Sequence, residues 1–575
     1  CQPAQLYFVV DREAQGVSGS GGELSRETSR KPEGSCRPNP GKPDELRNLI
    51  RTGSGRHSGT QHTVFARYRP EQPGERPGTR TLLYTGNSDC YARRCRRIGM
   101  RKRKSEPYRA TWASLASVPV PEWFRNAKFG IFIHWGIYSV PAFQNEWYPR
   151  FLYNKVVGEG EEFVVEPSRE VQAHHTATFG DRATFGYKEF IPRFTMERWD
   201  PDEWVGIFRG AGARYVVPVA EHHDGFPLYA TRFSRWNAAR MGPKRDLCAD
   251  LAAAVRRAGL KFGLSTHRAH HWDHYQFDPS FDNWATEFEG LYGKRHEPGA
   301  PIPDDFVSDW YERTVEIIDR FAPDLLYFDY GWHRDAFAAQ RPRIVAHYYN
   351  HAAHHGYEPV LLHKDKVPKS VGVFDVERGK LEDTPERPWQ TDTSVSYRSW
   401  GYLEEDAFKS ARTIVGDLAD IVSKNGNLLL NLGPRCDGTI PEGVTAILSE
   451  VGRWLIVNGE AIYGTRPWWN YGEGPTRVAS GSFTETADAC FTSEDIRYTT
   501  KNGTVYAIVL GEPETAITLA LLGSQSGYCE SEVTAVTLLG SDEPVRWRQD
   551  PTRLVIEPPS RTANRIALAF RVEFG

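Results

Sequence analysis

The chain has eight cysteines but no C-x-x-C pair and no metal-finger spacing. It therefore shows no disulfide framework, and its thiols are expected to be free. It lacks any run of 18 apolar residues, so no segment reads as a transmembrane helix. No basic-then-apolar signal opens it, which makes a cytoplasmic location the expectation. Neither charge sign prevails. The 71 basic and 74 acidic residues leave a formal net charge of -3, so the chain as a whole does not advertise nucleic acid or a membrane as its partner. Methionine is scarce, and the first is Met100. No internal repeat is visible.

Aromatic residues, in contrast, are plentiful: 17 Trp, 26 Tyr and 29 Phe. A flat ring stacks well on the C–H face of a pyranose, and a large core accounts for such a count equally well. A length of 575 residues calls for two or three domains.

Residues 1–105 are rich in Gly, Ser, Arg and Pro and poor in aliphatics. Such a segment buries too little apolar surface to offset its ordering entropy, so a disordered arm is expected. Folding sequence is expected to begin near Met100, with the preceding part a mis-called upstream translation. A basic nucleic-acid tail is the other reading, weakened by the few aromatics among the basic residues.

From about residue 106 to 466, short apolar runs alternate with amphipathic stretches. Strands are expected at Phe129 to Gly136, Arg214 to Gly225, Leu260 to His267, Leu325 to Phe328, Pro359 to Asp365, Val371 to Glu377, Trp389 to Ser394 and Asn427 to Gly433. Mostly helical segments separate them, including Asp202 to Gly212, Asp246 to Gly259, Asp305 to Ala322 and Asp406 to Ser423. Eight such strands argue for an α/β fold, most simply a (β/α)8 barrel. A doubly wound sheet is the alternative, but no G-x-G-x-x-G follows the first strand. Residues 467–575 carry short alternating runs divided by turn residues, which predicts a C-terminal all-β sandwich.

Barrel enzymes keep their chemistry at the C-terminal ends of the strands. The polar residues expected there are His134, the run His222-His223-Asp224, His267, Asp329 and Glu377, with Glu146 and Trp147 in the first loop. Each has an ordinary structural explanation: a satisfied core histidine, a turn, a strand-end ion pair. Together they point to one face of one barrel. Metal-assisted hydrolysis would use His222, His223, His267, His270 or His271 with Asp329. Against it, adjacent strand residues point to opposite sides, so His222 and His223 reach one ion only at an irregular end. Glycoside hydrolysis needs two carboxylates, and Asp329 and Glu377 lie on different strands that can face each other. Histidines and Glu146 would bond sugar hydroxyls, and Trp147 or Trp332 would supply an apolar wall.

The motifs carrying these residues resemble those of the family 29 glycoside hydrolases, the α-L-fucosidases. They are W-F-R-N-A-K-F-G-I-F-I-H-W-G-I-Y-S-V-P-A at 123–142, E-W-Y at 146–148, F-G-Y-K-E-F at 185–190, E-H-H-D-G-F at 221–226, G-P-K-R-D-L at 242–247, P-D-L-L-Y-F-D at 323–329 and N-G-N-L-L-L-N-L-G-P at 425–434. The resemblance runs from about Pro121 to the C-terminus. It implies a barrel followed by a β-sandwich, and a retaining exo-acting enzyme that releases L-fucose from fucosylated glycans or glycosides without a cofactor or metal. It implies Asp329 as nucleophile, and His134, Glu146, Trp147, His222 and His223 as fucose ligands. The D-V-E-R-G run at 375–379 implies Glu377 as acid/base, with Glu382 and Glu386 as nearby rivals. The chain departs from the family pattern at about 149–180, and at Thr266 to Trp272, where His267 takes the place of a tyrosine-bearing strand end. A fucose-binding lectin on the same barrel is the non-enzyme alternative, and assembly into homo-oligomers stays open.

Overall fold

The computed structural model describes residues 107–155, 162–364, 366–485, 491–529, 531–559 and 565–575. The expected N-terminal arm lies outside the described residues. Eight parallel strands close into a barrel in sequential order. They are β1 (Phe129–Ile133), β2 (Tyr215–Glu221), β3 (Lys261–Thr266), β4 (Leu325–Phe328), β5 (Val360–His363), β6 (Val373–Glu377), β7 (Trp389–Ser394) and β8 (Gly426–Leu432). All eight expected strands are present, and β8 pairs back with β1 through Ile131↔Leu430 and its neighbours. The helical alternation is incomplete: among the described residues no helix separates β5 from β6 or β6 from β7.

Most of the strands read as continuous apolar runs because both faces are covered, whereas β7 is largely polar. Period-2 alternation sorts them. Phe132, Val217, Leu325, Tyr327 and Val373 fill the barrel interior, while Ile131, Leu326, Phe328 and Val376 pack outward under the helices. The helices start and stop where their ends are satisfied. Asp246 caps Leu247–Arg257 by accepting from the Ala249 N–H. Gly259, at φ +74°, turns the chain into β3.

The C-terminal part is a β-sandwich. One sheet has the order β13-β16-β11-β10-β9 and the other β12-β15-β14. These strands are β9 (Arg466–Glu473), β10 (Ile496–Lys501), β11 (Thr504–Val509), β12 (Ile517–Leu519), β13 (Val533–Leu538), β14 (Trp547–Gln549), β15 (Leu554–Ile556) and β16 (Leu568–Phe574). Val505, Ala507 and Phe570 of the first sheet share a core with Leu519, Leu554 and Ile556 of the second. No described helix is long and apolar enough to cross a membrane.

Sandwich and barrel meet at a buried ionic joint. Asp420, on the helix Ala411–Ser423, accepts from Arg497 Nε of β10 at 2.6 Å and from Lys424 Nζ at 3.0 Å. All three are essentially buried. Removing one partner of such a group strands the others' charge, so Asp420→Ala is expected to lower unfolding stability by about 3–5 kcal/mol in denaturant titration. Breaking the exposed Arg546–Glu557 pair is expected to cost less than about 1 kcal/mol. Equal small losses in both variants would contradict the joint's role.

Candidate active site

Two carboxyls meet at the C-terminal mouth of the barrel. Leu325, Tyr327 and Asp329 share the inward face of β4, and Val373, Asp375 and Glu377 that of β6. Lys364, just past β5, lies between them: its Nζ donates to Asp329 Oδ1 at 2.8 Å and to Glu377 Oε2. His267 Nδ1 lies 3.1 Å and His223 Nε2 3.4 Å from the other oxygen of Asp329. His267 is held in turn by Ser265 Oγ, and His223 by the carbonyl of His267.

These surroundings separate the two carboxyls in acidity. Burial works against ionisation of Asp329, but His267 and Lys364 and the contacts from His223 and His267 outweigh it and hold the carboxyl well below the usual range. For Glu377, burial, reinforced by the negative Asp392 and Asp329 and only partly opposed by Lys364, pushes the carboxyl up to about 7. Lys364 stays protonated. Burial disfavours its charge, but Asp329, Asp392 and Glu377 more than compensate. Of the other two acids weighed from sequence, Glu382 and Glu386 are both exposed and neither joins this group.

A polar column continues below, inside the barrel. Tyr327 donates to Asp392 at 2.9 Å, Gln390 donates to Asp375 at 2.7 Å, and Tyr215 donates to Gln390 at 3.0 Å. Asp375 is held well above the usual range by burial and by the adjacent Asp392.

The histidines line the wall next to Asp329. A bulge in the β2–β3 pairing falls between Val219 and Glu221. It sends Glu221 outward to Arg268 and Arg313, and it lets His222 and His223 lie with ring centroids 4.6 Å apart on the site's side. This is the irregular end that strict alternation could not supply. His134 Nδ1 engages Asn431 Oδ1 at 2.7 Å, and its ring lies 5.1 Å from that of Trp400. Burial keeps His134 and His222 well below the usual imidazole range, hence neutral.

Among the described residues two trios bring nitrogen or oxygen atoms close enough to ligate one ion: His134, His222 and His267, and His223, His267 and Asp329. Both depend on His267, whose nitrogens already face Asp329 and Ser265. In the second trio the Lys364 ammonium, 2.8 Å from Asp329, repels a further cation.

The remaining expected residues are placed less uniformly. Glu146 is buried, and its Oε2 accepts from Ser399 Oγ at 3.0 Å and from the Trp400 N–H at 2.9 Å. It therefore ties the first loop to the loop after β7. Trp147 is half-buried and packs its ring against His223, His270 and His274. Trp332 does not form an apolar wall of the site. It is 1 % exposed and stacks on the outward-facing Phe328 at 4.0 Å, because Gly331, at φ +105°, turns the chain back over the helix layer. The exposed aromatic beside Asp329 is Tyr330. Asp224 also turns away, accepting from Tyr187 at 2.8 Å. In the divergent stretch after Tyr148, His175 is a packing residue that bridges the Tyr148 hydroxyl and the Phe185 carbonyl. Residues 156–161 of that stretch lie outside the described residues.

Sequence reading did not find Lys364, Asp392, Tyr327 or Trp400. Asp375 lay in a motif already marked, and its spacing of two from Glu377 put it on the same face. Nothing local distinguished Lys364 in the run His363-Lys-Asp-Lys366.

The α-L-fucosidase family matches residues 98–460, and the α-L-fucosidase C-terminal domain matches residues 490–573. Tissue α-L-fucosidase of Rattus norvegicus is 32% identical over 461 residues, which is 78% of this chain and 88% of the rat protein. The Bos taurus tissue enzyme is 30% identical over 455 residues, 77% of this chain and 85% of its own length. The structure of Thermotoga maritima α-fucosidase in complex with fucose superimposes with a TM-score of 0.64 at 32% identity, covering 81% of this chain and 99% of the other. The barrel, the sandwich and these matches together show that the chain belongs to the α-L-fucosidase family of glycoside hydrolases.

Proposed function

We propose that the protein is a retaining, exo-acting α-L-fucosidase, with Asp329 as nucleophile and Glu377 as acid/base. The observation that carries this reading is the divided acidity of two carboxyls on one lysine. Both contact Lys364 Nζ, so their nearest oxygens lie within two hydrogen-bond lengths of each other. That spacing suits the about 5–5.5 Å of a retaining pair better than the wider gap that admits a water.

In the first step Asp329, ionised, attacks the anomeric carbon while Glu377 gives its proton to the leaving oxygen. A β-fucosyl ester forms and the aglycone leaves as an alcohol. In the second step Glu377, now a carboxylate, takes a proton from water, which displaces Asp329 and returns fucose in the α configuration. His134, His222, His223, His267, Glu146 and Trp147 are assigned to holding the sugar and its surroundings. The neutral imidazoles of His134 and His222 can donate or accept towards hydroxyls. The Lys364 ammonium opposes charge loss on Glu377 when free, and it steadies the carboxylate once the proton has gone.

The test is hydrolysis of an aryl α-L-fucoside with chelator present, following the first-formed anomer by NMR. α-Fucose formed first, with undiminished rate in chelator, is the expected result. β-Fucose first would overturn retention, and loss of turnover in chelator would return the histidine trios to the mechanism. A folded protein that binds fucose without turnover would favour the lectin.

The pH dependence has a definite sign. Glu377 must be protonated in the free enzyme, so kcat/KM falls as pH rises through about 7. Asp329 must be ionised and its carboxyl is depressed, so the acid limb lies below the ordinary carboxylate range. A profile rising through pH 7 would contradict both assignments.

A further inference from the structure

The strand that carries Glu377 is poorly supported on one side. β5 pairs with β6 only through Leu362↔Val373 and His363↔Phe374, so β6 runs on past the end of its neighbour. On the other side β7 stays in register as far as Glu377↔Asp392. The missing support comes from the C-terminal domain. Between β9 and β10 the chain makes an excursion through Ser480–Glu485 that lies along residues 377–380.

Hydrogen bonds hold it there without forming a regular ladder. The Phe483 N–H donates to the Glu377 carbonyl at 2.7 Å, and the Glu377 N–H donates to Ser482 Oγ at 3.2 Å. The Glu485 N–H donates to the Arg378 carbonyl at 3.0 Å, and the Gly481 N–H to that of Lys380 at 2.9 Å. The approach is so close that a Cβ on Gly379 would collide with the Gly481 carbonyl oxygen. The Glu485 carboxylate then anchors the excursion. It accepts from Lys409 Nζ and from Thr393 Oγ1 of β7 at 3.0 Å, and it lies 3.7 Å from the Arg378 guanidinium. Arg378 reaches on to the carbonyls of Ser396 and Ser399 in the loop that holds Glu146.

We propose that this excursion is a working part of the active site, in which Ser482 and Glu485 are positioning residues that fix the backbone from which Glu377 projects. The inference rests on the reading of Glu377 as acid/base. A general acid must stand within hydrogen-bond reach of the oxygen it protonates, and a misplacement of about 1 Å can cost 10²-fold in rate. Both backbone polar groups of Glu377 are fixed by the excursion. The C-terminal domain therefore contributes to proton transfer as well as bracing the barrel.

Leaving-group dependence separates this role from a general loss of structure. With 2,4-dinitrophenyl α-L-fucoside the aglycone departs without protonation. With phenyl α-L-fucoside it does not. Ser482→Ala and Glu485→Gln are each expected to lower kcat/KM on the phenyl substrate by about 10-fold, the worth of one hydrogen bond. On the dinitrophenyl substrate kcat/KM is expected to stay within about 2-fold, and Ser482→Thr is expected to restore the phenyl rate. Equal losses on both substrates, or no loss on either, would overturn the proposal. Glu377→Ala is the reference. If it too shows no leaving-group dependence, the acid/base assignment itself fails and this inference falls with it. If it shows the dependence and the excursion variants do not, only this inference fails.

Discussion

Asp329→Ala is expected to lower kcat/KM on an aryl α-L-fucoside by about 10⁴-fold or more, the largest effect of any single substitution in this chain. No second carboxyl can take over. Glu377 stands on the same lysine but on the proton-donating side, and Asp375 and Asp392 lie below in the barrel, tied to Gln390 and Tyr327. The variant is expected to fold, because Lys364 keeps Glu377 and Asp392 as counter-charges. Added azide gives a sharper reading than rate alone. In Asp329→Ala it would attack the substrate directly and yield the β-fucosyl azide, since the small anion fits the space the carboxylate left. A loss smaller than about 10-fold in a folded variant would remove Asp329 from the nucleophile's role.

The second large effect is expected at Glu377. Glu377→Ala should reduce kcat/KM on phenyl α-L-fucoside by about 10²–10⁴-fold, the usual worth of a positioned general acid. The reduction on the dinitrophenyl substrate should be far smaller. The limb of the pH profile that falls through about 7 should vanish with the side chain. Azide would here intercept the fucosyl-enzyme from the opposite face and give the α-fucosyl azide, the mirror of the result at Asp329. If the limb near 7 survives in Glu377→Ala, another group carries the proton. Glu382 and Glu386 are then the first to examine, although both are exposed.

The two effects differ in kind because the two environments differ. Asp329 receives two histidines and an ammonium, all favouring the anion. Glu377 shares the ammonium but is partly desolvated and also faces the fields of Asp392 and Asp329, which favours the acid. The charge below the site thus matters to the chemistry above it.

Much of this was legible in the chain itself. Apolar runs bounded by turn residues specify most of the eight strands, because a strand covered on both faces has few polar positions to disguise it, although β7 is largely polar. Polar residues at the ends of those runs, His134, His267, Asp329 and Glu377, stand out because barrel enzymes keep their chemistry at the C-terminal ends of the strands. Long contiguous motifs then specify the family. What remained hidden depends on contacts distant in sequence. Lys364 is one of three lysines in a short loop, and only closure of β4, β5 and β6 puts its ammonium between two carboxyls. The β2 bulge that turns His222 inward is a mismatch between two strands, which neither strand's residues announce. Trp332 looked like a wall of the pocket because it follows Asp329 by three residues. A single left-handed glycine turns it into the helix layer. The excursion Ser480–Glu485 lies more than a hundred residues from the glutamate it supports, in a run of small polar residues with no periodicity of its own. Local chemistry and strand period determined which residues this protein brings to its barrel mouth. Only the tertiary structure decided their acidity and support, because electrostatic fields and backbone pairing depend on distance in space and not along the chain.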